Sequence, residues 1–113
     1  MHTDLETLTA EAWRLSQLLD KGLAALREAG VAYAEAEHQY RSAKAMAYLE
    51  TESGTVAERE ANVYAIMGEH RRTRDLADGQ KVAALEAVRS RRAQLSALQT
   101  LIAAHRAEVE LAR

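Results

Sequence analysis

The chain has 113 residues, a net charge of −2 and a hydrophobic fraction of 48%, enough for one small domain or one member of an assembly. Ala, Leu, Glu, Arg and Lys supply 66 of the residues, the composition of long helices or coiled coils. With no Pro, Cys or Phe and only five Gly, disulfides, thiolate metal sites and cysteine catalysis are excluded, and the β-branched and aromatic content is too low for a sheet.

The opening Met1-His2-Thr3-Asp4-Leu5 has neither a basic nor an apolar leader segment, so no secretory signal is read there. No apolar run approaches the ~18 residues of a membrane span. The expectation is an all-α, cytoplasmic protein of one helical domain, 1–113, with no membrane partner.

Thr3-Asp4-Leu5-Glu6 reads as a capping box that starts a first helix over about residues 4–50. Stepping alternately by three and four residues gives Leu5, Leu8, Ala12, Leu15, Leu19, Gly22, Leu26, Ala29, Tyr33, Ala36, Tyr40, Ala43, Ala47 and Glu50. All but Gly22 and Glu50 are apolar. A repeat of 3.5 residues predicts a coiled-coil-like seam. At ~1.5 Å per residue, such a helix is about 69 Å long, so only an equally long partner covers its seam.

Glu52-Ser53-Gly54 marks a turn, residues 51–55, and Thr55-Val56-Ala57-Glu58 a second capping box. The helical region that follows spans about 56–111. Its seam reads Glu60, Val63, Met67, His70, Arg74, Ala77, Lys81, Ala84, Val88, Arg91, Leu95, Leu98, Ile102, His105, Val109 and Ala112, with polar members concentrated between His70 and Arg91. Gly68 and Asp78-Gly79 fall in or beside that stretch. Two readings follow: one helix, making a long antiparallel helical hairpin with a weak point at Gly79, or a third helix after a break near Gly79. The hairpin is favoured.

A second set of apolar residues lies off both seams. On the first helix it includes Trp13, Leu18, Leu23, Val31, Met46, Tyr48 and Leu49. On the second it includes Tyr64, Ile66, Leu76, Val82, Leu85, Leu101 and Leu111. Soluble proteins avoid exposing so much apolar surface. A homo-oligomer of hairpins is therefore expected, with Trp13, Leu18, Tyr48, Tyr64, Leu85 and Leu101 as interface candidates; a compact three-helix bundle is the alternative.

Charge is unevenly distributed. Residues 1–54 hold five Lys/Arg against nine Asp/Glu, and residues 55–113 ten against eight. Between 70 and 106, Arg71, Arg72, Arg74, Lys81, Arg89, Arg91, Arg92 and Arg106 face only Asp75, Asp78 and Glu86. On an ideal helix Arg59, Arg71, Arg74, Lys81, Arg89, Arg92 and Arg106 fall within about 120° of arc. Guanidinium groups fork onto phosphate, so this is a candidate anion-binding strip; solvated helix faces, or pairing inside a bundle, are the structural alternative. Chemistry finds little support. Glu35-x-x-His38 is half of a di-metal carboxylate element without its counterpart and reads as a surface pair. No serine sits in a nucleophile elbow, and Ser53-Gly54-Thr55 lacks a phosphate loop's glycines and lysine. Tyr33 and Tyr40, at heptad spacing on the seam, read as core rather than base-stacking platforms. A non-enzymatic protein without cofactors is expected.

Two stretches carry a resemblance. Arg41-Ser42-Ala43-Lys44, leading to Glu52-Ser53-Gly54-Thr55-Val56-Ala57-Glu58-Arg59-Glu60-Ala61, resembles small helical proteins of tailed phages of high-GC hosts. Ala84-Leu85-Glu86-Ala87-Val88-Arg89-Ser90-Arg91-Arg92-Ala93-Gln94-Leu95-Ser96-Ala97-Leu98 is similar in layout to the C-terminal part of UvsY-type phage recombination mediators. The resemblance covers about a third of the chain. It implies an oligomeric helical protein of the host cytoplasm that binds single-stranded DNA and works with a recombinase or single-strand binding protein. Arg89, Arg91 and Arg92 would be its phosphate contacts; Lys44, Arg71, Arg72 and Arg74 join them on charge alone. The chain departs from those mediators in its scarcity of Lys and its acidic N-terminal half. A helical interaction or phage-assembly module without DNA binding is the alternative function.

Overall fold

The structure, a computed structural model, describes residues 2–113, and side chains from Asp4 onward. Three helices account for almost all of it: α1 (His2–Glu50), α2 (Val56–Ile66) and α3 (Gly68–Leu111). There is no strand among the described residues. No helix is long and apolar enough to cross a membrane. The first helix ends at Glu50 and the second begins at Val56, where the turn chemistry puts them. The first capping box falls on Thr3, whose side chain lies outside the described residues.

The turn is built by three devices. Thr55 is the N-cap of α2, in an extended conformation, and its Oγ1 accepts from the Glu58 amide at 3.2 Å. Gly54 has φ +102, a region that side chains with a Cβ rarely enter. Arg59 closes the other side. Its Nε donates to the Thr51 carbonyl at 2.6 Å and its Nη2 to the Tyr48 carbonyl at 3.1 Å. Helix ends leave their last carbonyls without intrahelical donors. One guanidinium therefore ties the C-terminus of α1 to the start of α2.

The contacts divide the chain into two compact units, Arg27–Ala83 and Met1–Leu26 with Ala84–Arg113. In the first unit Ala47, Val63 and Met67 form a core cluster, with Tyr40, Ala43 and Tyr48 packed against it. Val63 and Met67 are only 2% exposed, and burying such side chains contributes about 1.5–3 kcal/mol each. Arg74 meets Tyr40 and Glu37, and Lys81 meets Tyr33. As residue numbers rise on one helix they fall on the other, so the two helical stretches run antiparallel. In the second unit Leu15 and Val88 are buried. A Cβ on Gly22 would stand 3.4 Å from a Val88 methyl carbon, about van der Waals contact, so Gly22 faces Val88 across the pairing.

The sequence seam of α1 is its covered face: every member from Leu5 to Ala47 is buried or half-buried, and only Glu50 is exposed. On the other strand of the pairing, seam members from Val63 to His105 are covered except His70.

A break near Gly79 does not occur. Helix α3 runs unbroken through Asp78 and Gly79, both exposed. Their flanking seam residues Ala77 and Lys81 are buried and half-buried and hold the helix on α1. The interruption lies twelve residues earlier, at Met67 (φ −83, ψ 4). Even there the ladder is carried across, from the Met67 amide to the Val63 carbonyl and from the Arg71 amide to the Met67 carbonyl, each 2.9 Å. A deeply buried core residue thus marks the change of helix, rather than the turn-prone Asp-Gly pair.

Opposite effects are expected from two glycine substitutions. Gly79→Ala has open space around its Cβ and should stabilise by about 0.5–1 kcal/mol, whereas Gly54→Ala should destabilise by about 1–3 kcal/mol. Arg59→Ala should cost about 1–3 kcal/mol by stranding the α1 carbonyls. Urea titration followed by helical circular dichroism reads all three.

Candidate functional site

The arginines that make the sequence strip separate into different environments. In the unit Arg27–Ala83, Arg74 is turned into the seam. Its guanidinium carbon lies 4.1 Å from the Tyr40 ring centroid. Its Nη2 lies 3.1 Å from Asp75 and its Nε 4.0 Å from Glu37. Desolvation works against the charge of Arg74, but the hydrogen bond to Asp75 and the charges of Asp75 and Glu37 outweigh it, and its pKa is raised. Arg74 is thereby a packing residue whose charge is already answered. Lys81 lies similarly over Tyr33, at 4.8 Å.

Arg71 is disposed differently. It is half-buried and lies 3.7 Å from the centroid of the Tyr64 ring, and its Nη1 donates to the Tyr64 carbonyl at 3.3 Å. Tyr64 itself is 66% exposed. Arg72, next along, is exposed, as is Lys44, whose Nζ stands 5.7 Å from the Tyr40 centroid. Arg72 has no ion-pair partner among the described residues.

In the other unit Arg89 is exposed and pairs with Glu86 at 3.2 Å. Both side chains are largely in solvent, where such pairs are weak and readily exchanged. Arg92 is exposed and Arg91 half-buried on the seam, each without an ion-pair partner among the described residues. Of the seven cationic candidates, then, Arg74 is the one fully engaged with carboxylates and a ring.

The interface candidates also divide. Trp13 is 68% exposed, and Tyr64 and Leu101 are likewise exposed. Leu18, Tyr48 and Leu85 are half-buried. Trp13 walls an open apolar groove of about 790 Å³ with Leu5, Ala12 and Leu95. Leu76, Val82, Val31 and Leu111 are further large apolar side chains left in solvent.

Sequence reasoning did not anticipate a pocket of about 200 Å³ beside the turn-proximal core, lined by Tyr40, Lys44, Tyr48, Glu60, Val63, Tyr64, Met67 and Arg71. It gathers three of the chain's four tyrosines with two cations. The signal that finds it is the antiparallel pairing itself, which brings the seam residue Tyr40 and its neighbours Lys44 and Tyr48 opposite Tyr64 and Arg71. Elsewhere, Glu35 accepts from Gln39 at 3.1 Å, and no group of three His, Asp or Glu side chains among the described residues is arranged to hold a metal.

No family model, curated protein or solved structure matches the chain.

The two kinds of arginine should respond differently to truncation. Arg74→Ala exposes the Tyr40 face and leaves Asp75 without its cation, while Glu37 keeps Arg41 at 3.0 Å, so its urea midpoint should fall. Arg72→Ala touches nothing and should leave the midpoint unchanged.

Proposed function

We propose that the chain is a non-enzymatic protein that binds single-stranded DNA along arginine-bearing surfaces of a helical homo-oligomer, in the manner of the UvsY-type recombination mediators that it resembles. The observation that carries this reading is the uncommitted cationic surface of α3. Arg72, Arg91 and Arg92 have no carboxylate partner among the described residues, Arg89 has only a solvent-exposed one, and Arg71 is held on an exposed tyrosine. Guanidinium groups of this kind bind phosphate through paired hydrogen bonds without reading sequence. Arg74 drops out of the contact set because its charge is balanced inside the fold.

A net charge of −2 disfavours a single chain as a polyanion receptor. Association of several chains multiplies the local cationic surfaces, and the exposed Trp13 and Leu101 with the apolar groove beside Trp13 supply surface for it. DNA binding in this account involves no bond making. The protein holds a strand for a partner of the recombinase or single-strand-binding class.

The same apolar surfaces favour a second reading, a helical interaction or phage-assembly module whose arginines only keep it soluble. Titration of a fluorescent oligonucleotide separates the two. Under the DNA reading the wild type binds at ~50 mM salt and weakens steeply towards ~200 mM, each contacted phosphate adding about −0.7 to the log–log slope. Charge reversal at Arg89, Arg91 and Arg92 abolishes binding with helicity intact. Absence of binding at low salt, or indifference to the reversals, leaves the interaction module.

A further inference from the structure

The pocket beside the turn has a composition that the apolar seam does not explain. It is lined in part by Val63 and Met67, the most tightly buried side chains of their unit. Tyr40, Tyr48 and Tyr64 also line it, together with the cations Lys44 and Arg71. Arg71 already lies on one face of Tyr64, 3.7 Å from the centroid, and is anchored to the backbone carbonyl of the same residue. Tyr64 nevertheless remains 66% exposed, which leaves ring surface open to a ligand. A tyrosine rotor fixed by a stacked guanidinium loses little further freedom on binding a second flat group.

Flat π-surfaces bordered by cations are how proteins hold unpaired bases. The rings stack on the base, and the cations take the adjoining phosphates. Duplex nucleic acid does not offer this contact, because its bases are stacked on one another. Glu60 also borders the pocket. Its carboxylate repels phosphate and can accept from a base N–H, so phosphates are left to Lys44 and Arg71.

We infer that the pocket formed by Tyr40, Tyr48 and Tyr64 receives one unpaired base of a single-stranded nucleic acid, with the neighbouring phosphates on Lys44 and Arg71. This site rests on the single-strand-binding reading and deepens it. It adds stacking to phosphate contact, and it places the stacking in the unit Arg27–Ala83 rather than at the arginines of 89–92.

The test uses the full-length protein with two fluorescent oligonucleotides of equal length, an oligothymidylate and its abasic counterpart, which share the same phosphates. Wild type should bind oligothymidylate more tightly than the abasic strand. Tyr64→Ala should weaken oligothymidylate binding about 5- to 150-fold, the range for loss of one stacked base, and weaken abasic binding less, so that the preference between the strands is lost. Tyr64→Phe should restore it. Cross-linking of a 5-iodouracil strand to the wild-type protein, mapped by mass spectrometry, should mark Tyr64 or Tyr48, and it reads the site even if the alanine variant misfolds. Equal wild-type affinity for both strands, with Tyr64→Ala indifferent, overturns the pocket while sparing the DNA reading. Failure of the wild type to bind either strand overturns both. A Tyr64→Ala protein that changes its solution mass but not its preference between strands makes the tyrosine a protein contact, and the base site is then wrong.

Discussion

Two helices lying side by side can cover only one face of each other, and much of what is seen in this chain follows from that limit. The covered face is a row of small and medium side chains, with Ala36, Ala47, Ala77, Leu15, Val63, Met67 and Val88 as its buried members. Trp13, Val31, Leu76, Val82 and Leu101 are each more than half exposed. Isolated exposed apolar residues are ordinary, but here many large ones lie in so short a chain, one of them walling a broad groove, and the proposed self-association would cover them.

Within the unit that holds the turn, register is fixed by more than apolar packing. Tyr33 and Tyr40 are seven residues apart on α1; Lys81 and Arg74 are seven apart in the opposite sense on α3, and each tyrosine carries the matching cation on its ring. A shift by one helical turn would part both pairs and move Arg74 off Glu37. Long amphipathic side chains thus fill the seam where Ala alone would leave voids, and their charges reach solvent or carboxylates. The polar interruptions in the second seam are therefore part of the pairing.

The C-terminal end of α1 and the turn into α2 were legible in the residues. Thr55 with Glu58, and Gly54 before them, identify the turn because cap chemistry is local. The alternation of three and four identifies the covered face of α1 almost residue by residue. At Gly79 the favoured unbroken helix holds: the turn propensity of Asp78-Gly79 is local, whereas the contacts that keep α3 unbroken come from α1. The pause at Met67 has no sequence signature of its own beyond the neighbouring Gly68. For the candidate site, the cations were legible as charge but not as environment. Nothing in their spacing alone separates Arg74, with two carboxylates and a ring, from Arg72, with neither. The role of Arg59 as a clamp on α1 carbonyls, and the gathering of Tyr40, Tyr48 and Tyr64, depend on tertiary pairing.

Under the proposed function, a chain with exposed apolar faces and a slight net negative charge holds a polyanion only when several copies pool their arginines. Solution mass tests that requirement most directly. Sedimentation equilibrium of the full-length protein over a range of concentrations should give a fixed multiple of the 12.5 kDa chain, and Trp13→Asp should lower it. A species of 12.5 kDa at every concentration would contradict the account.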